Sequence, residues 1–441
     1  MTPEPTTRHA GRSRQTGVRA TRVGGSATVI TPPPGPMAGY AVRLGDSTGT
    51  TADLMARVTV FDDGDTPVVL VVLDLLYATQ ALTRAVREAV AGSTPVMPEH
   101  VIVTATHTHN GPADLATTQG SVVRLFVADA CARAAERAWS ERREARLVTG
   151  EIQVRGISAH RRTRVGVPDE TLTLVAALDE KTGDPIVSIV NFACHATVHG
   201  PEMTSWSPDF PGAVCASLES WAGGTVTFLQ GCAGDVNPVV STRDWADASR
   251  IGEIVAAASL QLLRDAQGLL RGLTTESPSL ESTFPAQNRS RCRLVAPSCL
   301  ELASVLVDVD PGPRPTRHTP SVHDDPFTRS RLWIEDLHAR DGNLFGSFDA
   351  IDRLTVQVVR LGVDLHLVAL PGEPMSVAGR LLRGSGPGTV LVAGYADASV
   401  GYLPAREDHL VGGYEVGACA YEPGALERLV DAAVTTLREL R

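Results

Sequence analysis

The chain has 441 residues, 43% hydrophobic and 20% charged, a balance that marks a globular protein with a large buried core and excludes a disordered one. Forty basic against 50 acidic residues leave a net charge of -10, without the basic footprint of a general nucleic-acid binder. Lys181, in the turn Asp179-Glu-Lys-Thr-Gly183, is the only lysine, and this sets aside lysine-centred Schiff-base chemistry.

Seven cysteines with no C-x-x-C pair argue against a disulfide framework and a zinc ribbon, and fit a reducing compartment. The Arg-, Thr- and Pro-rich stretch 1–24 reads as a disordered leader, with neither an apolar signal core nor any run long enough to cross a membrane. A cytoplasmic protein without membrane insertion is the expectation.

From Ala27 onward short β-branched runs alternate with helical spacing, which predicts an α/β fold with mixed sheets flanked by helices. Strands are expected at 27–31, 57–62, 67–75 and 100–105, with helices at 79–90 and 120–139. Further strands are expected at 146–154, 171–178, 185–192 and 224–230, and Asp244 to Asp265 is an amphipathic helix. Between 274 and 343 the period is lost and Pro, Ser, Arg and His accumulate, so this segment reads as an excursion or lid carrying Phe327, Leu332 and Trp333. Strands return at 353–361, 364–370 and 389–394, with helices near 374–383 and 423–440. No internal repeat is visible.

Gly45-Asp-Ser-Thr-Gly49 has the spacing of a serine-hydrolase elbow, but no helix is expected directly after it, so the match reads as chance. Ala105-Thr-His107-Thr-His109-Asn-Gly-Pro112 carries a stronger signal. It closes a Val-Ile-Val strand, and the C-terminal end of a strand is where α/β sites form and where neutral imidazole suits Zn²⁺. Three more strand ends carry ligand-type residues: His195 in Asn191-Phe-Ala-Cys-His195, Asp235 and Asn237 in Gly234-Asp-Val-Asn-Pro238, and Glu373 in Pro371-Gly-Glu373. Each alone also fits a cap, a turn or a core histidine.

Taken in order, His-Thr-His-x-Gly-Pro, Phe-Ala-x-His-x-Thr, Gly-Asp-Val-x-Pro, Pro-Gly-Glu and a tyrosine upstream of Tyr414-Glu415 resemble the motifs of the neutral/alkaline, non-lysosomal ceramidases. The resemblance runs from about residue 25 to the end. It implies one Zn²⁺ held by His107, His195, Glu373 and Tyr402, whose bound water attacks an amide. It also implies a substrate-side role for His109 and, by a looser match, for Arg161. Asp235 and Asp209 are candidates to orient the histidines, and fit equally well as turn acids.

Asn237 stands where the family has serine, and an amide side chain is no nucleophile, which favours metal-activated water. No stretch matches the family's C-terminal immunoglobulin-like domain. Because site residues from 107 to 402 must converge, residues 25–441 are expected to form one catalytic unit. The expected function is zinc-dependent hydrolysis of a linear N-acyl amide, a small-molecule substrate. A zinc enzyme forming or opening a lactam or ester by cyclisation or transfer is the first alternative, and a non-catalytic metal-binding module the second. The module reading would be favoured by a Glu373 or Tyr402 lying far from His107.

Overall fold

The computed structural model describes residues 21–40, 43, 45–113, 115, 121–162, 168–272, 291–310 and 351–440. Three stretches of the chain build the same topology. In the first, strands Arg22–Val29, Met55–Asp62 and Val68–Leu73 run antiparallel; helix Gln80–Ser93 then crosses over to the parallel strand Val101–Ala105, and helix Ser121–Ser140 closes the unit.

The second repeats the order: strands Arg143–Gln153, Thr171–Asp179 and Pro185–Phe192, helix Asp209–Ala222, parallel strand Thr225–Gln230 and helix Trp245–Leu270. The third uses Glu301–Asp308, Arg353–Gly362 and Leu365–Ala369, then helix Ser376–Ser385, parallel strand Thr389–Ala393 and helix Ala425–Glu439. The sequence shows no repeat, so this threefold recurrence is one of path and not of residues.

The strands of the first two units join in one mixed sheet through the short pairing of Arg22 and Val23 with Glu144 and Arg143. The third unit's four strands form a second sheet. Alternation along the strands explains the layering. Val69, Val71 and Leu73 pack under the first pair of helices, while Val68, Leu70 and Val72 meet Leu365, Leu367 and Leu391 of the second sheet. Val390, Val392 and Leu382 on the far side belong to the core beneath Leu429 and Leu437 of the last helix. The order is helices, sheet, sheet, helices. No helix among the described residues is long and apolar enough to cross a membrane.

The fold class expected from the sequence is the one found. Several details differ. The first strand begins at Arg22, inside the stretch expected as a leader, because Arg22 to Val29 pair residue by residue with Asp62 to Met55; residues 1–20 lie outside the described ones. The stretch expected as a lid holds two sheet strands, Arg291–Leu294 beside Arg143–Gln153 and Glu301–Asp308 beside Arg353–Gly362. The rest of it, with Phe327, Leu332 and Trp333, lies outside the described residues. Asp209–Ala222, for which no element was expected, is a helix. Pro211 is tolerated in its first turn, where the missing N–H has no intrahelical partner to lose.

Candidate metal centre

Each parallel strand pair ends facing the same point. Leu73 pairs with Ala105, Phe192 with Gln230 and Ala369 with Ala393, and the site residues follow these ends within a few positions. Gln230 ties the three units together there. Its amide donates to Thr106 O (3.0 Å) and Cys194 O (2.7 Å) and accepts from Cys194 N (3.1 Å), while its carbonyl accepts from Gly394 N (3.0 Å).

His107 lies in the left-handed region (φ 63°), rare for a residue with a Cβ and a mark of backbone held by its surroundings. Its Nδ1 is 2.9 Å from Leu76 O, and the Nδ1 of His195 is 2.6 Å from Ala233 O. The Nδ1 of His109 is 2.9 Å from Gly39 O. A carbonyl can only accept, so each Nδ1 donates, and each neutral ring turns an Nε2 lone pair inward.

Glu373 follows Gly372 (φ 62°), and its N–H donates to Gly401 O at 2.9 Å. Its Oε1 accepts from the Tyr77 hydroxyl at 2.6 Å. Its Oε2 lies 3.2 Å from His107 Nε2 and 3.3 Å from His195 Nε2, buried and without a hydrogen-bond partner. Tyr402, paired with Glu373 across two short parallel strands, brings its hydroxyl to 3.5 Å from His195 Nε2. His107 Nε2 is 3.2 Å from His109 Nε2.

Lone pairs facing one another in a dry interior are costly unless a cation lies between them. Bonds of about 2.0–2.1 Å at tetrahedral angles set neighbouring ligand atoms roughly 3.3 Å apart, which the His107–Glu373 and His195–Glu373 separations match. The residues therefore fit a zinc-type ion. Among the described residues, His107, His109 and His195 also form a group whose donor atoms all fall within 4.8 Å of one another.

Burial, with Arg161 nearby, lowers the His195 imidazole to about 4, and burial with the neighbouring histidines holds His109 well below its ordinary value. The Tyr402 hydroxyl is pushed well up, first by burial.

Arg161 approaches from the strand Ser158–His160. Its Nη1 is 3.3 Å from Asn237 Oδ1 and 3.4 Å from His195 Nε2, its Nε donates to Glu415 at 2.8 Å, and its guanidinium lies 5.2 Å from the centre of the Tyr402 ring. Its buried Nη2 makes no hydrogen bond. His107, His109, His195, Glu373, Tyr402, Arg161 and Asn237 are thus brought together.

Asp235 is near but turned away. It accepts from Ser376 N (2.7 Å), Ser376 Oγ (3.1 Å) and His160 Nε2 (3.1 Å), and so holds the start of helix Ser376–Ser385. Asp209 accepts from His199 N and Phe210 N at its own helix start. Backbone carbonyls set the three imidazoles, and neither carboxylate orients them as expected.

Sequence reasoning missed several contributors. Tyr395 (φ 57°) stacks on His107 with ring centres 4.1 Å apart, and its buried hydroxyl makes no hydrogen bond. Arg43 donates to Ala38 O, His109 O and Asn110 Oδ1, pinning the segment that carries Gly39 beside His109. One signal was available: the chain has six tyrosines, and Tyr40, Tyr77, Tyr395, Tyr402 and Tyr414 all touch the site or a residue in it.

A four-layer α/β architecture with an imidazole and carboxylate cluster at the shared strand ends defines a protein with a candidate metal centre. No protein-family model matches the chain. The neutral ceramidase of Mycobacterium tuberculosis is 24% identical over 472 aligned positions, covering 87% of this chain and 71% of that protein. Among solved structures, the neutral ceramidase from Pseudomonas aeruginosa superposes with a TM-score of 0.72 at 20% identity, covering 96% of this chain and 75% of that one. A ceramidase complexed with C2 gives 0.71 at 20% identity, with 96% and 76% covered. The chain is thus similar in fold to the neutral ceramidases, with a weaker likeness in sequence.

Proposed function

We propose that the chain is a zinc-dependent amidohydrolase that cleaves a linear N-acyl amide of lipid type. The observation that carries this reading is the unpartnered Glu373 Oε2 facing the His107 and His195 Nε2 atoms at 3.2 and 3.3 Å. His107, His195, Glu373 and Tyr402 would hold the ion. When bound, zinc supplies Lewis acidity, making water a nucleophile near neutral pH and polarising a carbonyl.

The protein's own groups divide the remaining work. His109 is half-buried where His107 is fully buried, so it is the imidazole that faces the substrate side. Its Nε2 lone pair can take the proton from the attacking water and return it to the departing amine nitrogen. Arg161 keeps its charge, because Tyr402 and Glu415 outweigh the effect of burial, and its free Nη2 can donate to the oxygen that becomes negative. Asn237 holds the other guanidinium nitrogen and so fixes that donor. Glu373 lies beside His107, so the separation that would favour the non-catalytic module reading is not present.

The test is a mass-spectrometric screen of N-acyl amides, ceramide included, with zinc-loaded protein. Release of a fatty acid and an amine, lost in His107→Ala and His195→Ala, supports the proposal. Zinc-loaded protein that cleaves no amide in such a panel overturns it. Asn237→Ser tests the position that departs from the family, with a change in chain-length or head-group preference expected.

A further inference from the structure

Two consecutive residues after the strand Val68–Leu73 act on the metal centre. Leu76 supplies the carbonyl that sets the His107 ring, and Tyr77 supplies a hydroxyl to Glu373. The Tyr77 hydroxyl meets Oε1 at 2.6 Å, a length typical of a hydrogen bond to a charged oxygen, while Oε2 is left without a donor and faces both imidazoles. The two carboxylate oxygens are therefore already assigned different partners.

With His107, His195, Glu373 and Tyr402 each giving one atom, water or a substrate carbonyl would need a fifth position, which a carboxylate using both oxygens would occupy. The hydrogen bond from Tyr77 opposes this, because it draws Oε1 toward the hydroxyl while Oε2 alone faces the imidazoles. We infer that Tyr77 is a positioning residue that holds Glu373 as a one-oxygen ligand and keeps a coordination position open. The inference rests on the metal-centre reading above and adds a residue and a task to it.

The experiment loads wild-type protein and Tyr77→Phe with Co²⁺ and records the visible absorption, with Zn²⁺ affinity measured by competition. Loss of an outer partner of this kind costs about 10–100-fold in affinity. Tyr77→Phe should lose zinc affinity in that range. Its Co²⁺ bands should weaken and shift as the freed Oε1 joins the ion, and kcat should fall more than KM rises.

A second measurement leaves Tyr77 in place. The infrared difference spectrum on adding Zn²⁺ should show the wide carboxylate splitting of a one-oxygen ligand, assigned by its disappearance in Glu373→Gln. Unchanged affinity and Co²⁺ bands in Tyr77→Phe, or the narrow splitting of a chelating carboxylate in the wild type, overturn the inference about Tyr77 alone. A wild type that takes up neither ion overturns the metal-centre reading, and this inference with it.

Discussion

Glu373 Oε2 lies 3.2 Å from the Nε2 of His107, a ring whose Nδ1 proton is already committed to Leu76 O. In the metal-free protein this leaves a buried carboxylate oxygen against an imidazole lone pair. Glu373→Gln replaces the charge with an amide whose N–H can donate to that lone pair. The metal-free variant should therefore melt no lower than metal-free wild type. Its zinc affinity should nevertheless drop by more than the roughly 100-fold typical of losing an outer partner. Calorimetric melting and competition with a zinc chelator read the two effects separately.

His109→Ala should behave in the opposite way. His107, His195, Glu373 and Tyr402 remain, so the metal stays close to one per chain while kcat falls about 10²- to 10⁴-fold, the range for a lost proton-transfer group. Gly39→Ala should reproduce part of this loss. Gly39 has φ 100°, and a Cβ there would sit 2.6 Å from the His109 Cβ, pushing away the ring that its carbonyl orients. Steady-state rates with elemental analysis of the same samples check both.

Asp235→Asn tests a positioning role. Its carboxylate holds Ser376, three residues beyond Glu373, and His160, next to Arg161, while its backbone carbonyl accepts from Arg161 N at 2.8 Å. Burial works against this charge, but His160 and Ser376 outweigh it and lower the pKa. An amide cannot accept at both positions, so the variant should lose about 1–3 kcal/mol. Urea midpoints should show this loss, and metal content should not change.

A pH effect follows from Asp74, which accepts from Met55 N and Thr106 Oγ1 beneath the His107 turn. Burial raises its carboxyl to about 6, against the pull of Arg57 and its hydrogen bonds. With the folded value above the unfolded one, the folded state holds a proton that the unfolded chain has released. This group's contribution is therefore full below about pH 4 and is lost as pH rises through 6. Melting temperatures of wild type and Asp74→Asn across pH 4 to 7 should differ in slope, with that decline absent in the variant.

The sequence made the fold class legible through its periodicity, and the candidate ligands through their place at strand ends. His107, His195 and Glu373 each directly follow an apolar run, and that local context carries over into three dimensions. Tyr77, Tyr395 and Gln230 also stand at or just after strand ends, but their residue types did not single them out, and their importance comes from partners 124 or more positions away: Tyr77 with Glu373, Tyr395 on His107, and Gln230 with Thr106.

Asp235 and Asp209 stay open between two roles in the sequence because turn carboxylates near histidines look alike there, whereas in the structure nearby N–H and hydroxyl donors capture them. Glu301–Asp308 was hidden for another reason. It is an edge strand, half exposed, and its apolar residues Leu302, Ala303, Val305, Leu306 and Val307 do not alternate with polar ones, so it lacks the pattern that reveals a half-buried strand. The threefold path could not be read at all, since it is a property of pairing and crossover and not of residue identity.

The central claim is that a single metal ion bound by these residues drives amide cleavage. Its most direct test removes metal from the purified protein with a chelator and titrates Zn²⁺ back while following acid release from the best N-acyl amide substrate. The account predicts no turnover in the stripped protein and activity rising in proportion to zinc until close to one ion per chain. Full activity in protein shown by elemental analysis to be free of metal would contradict it.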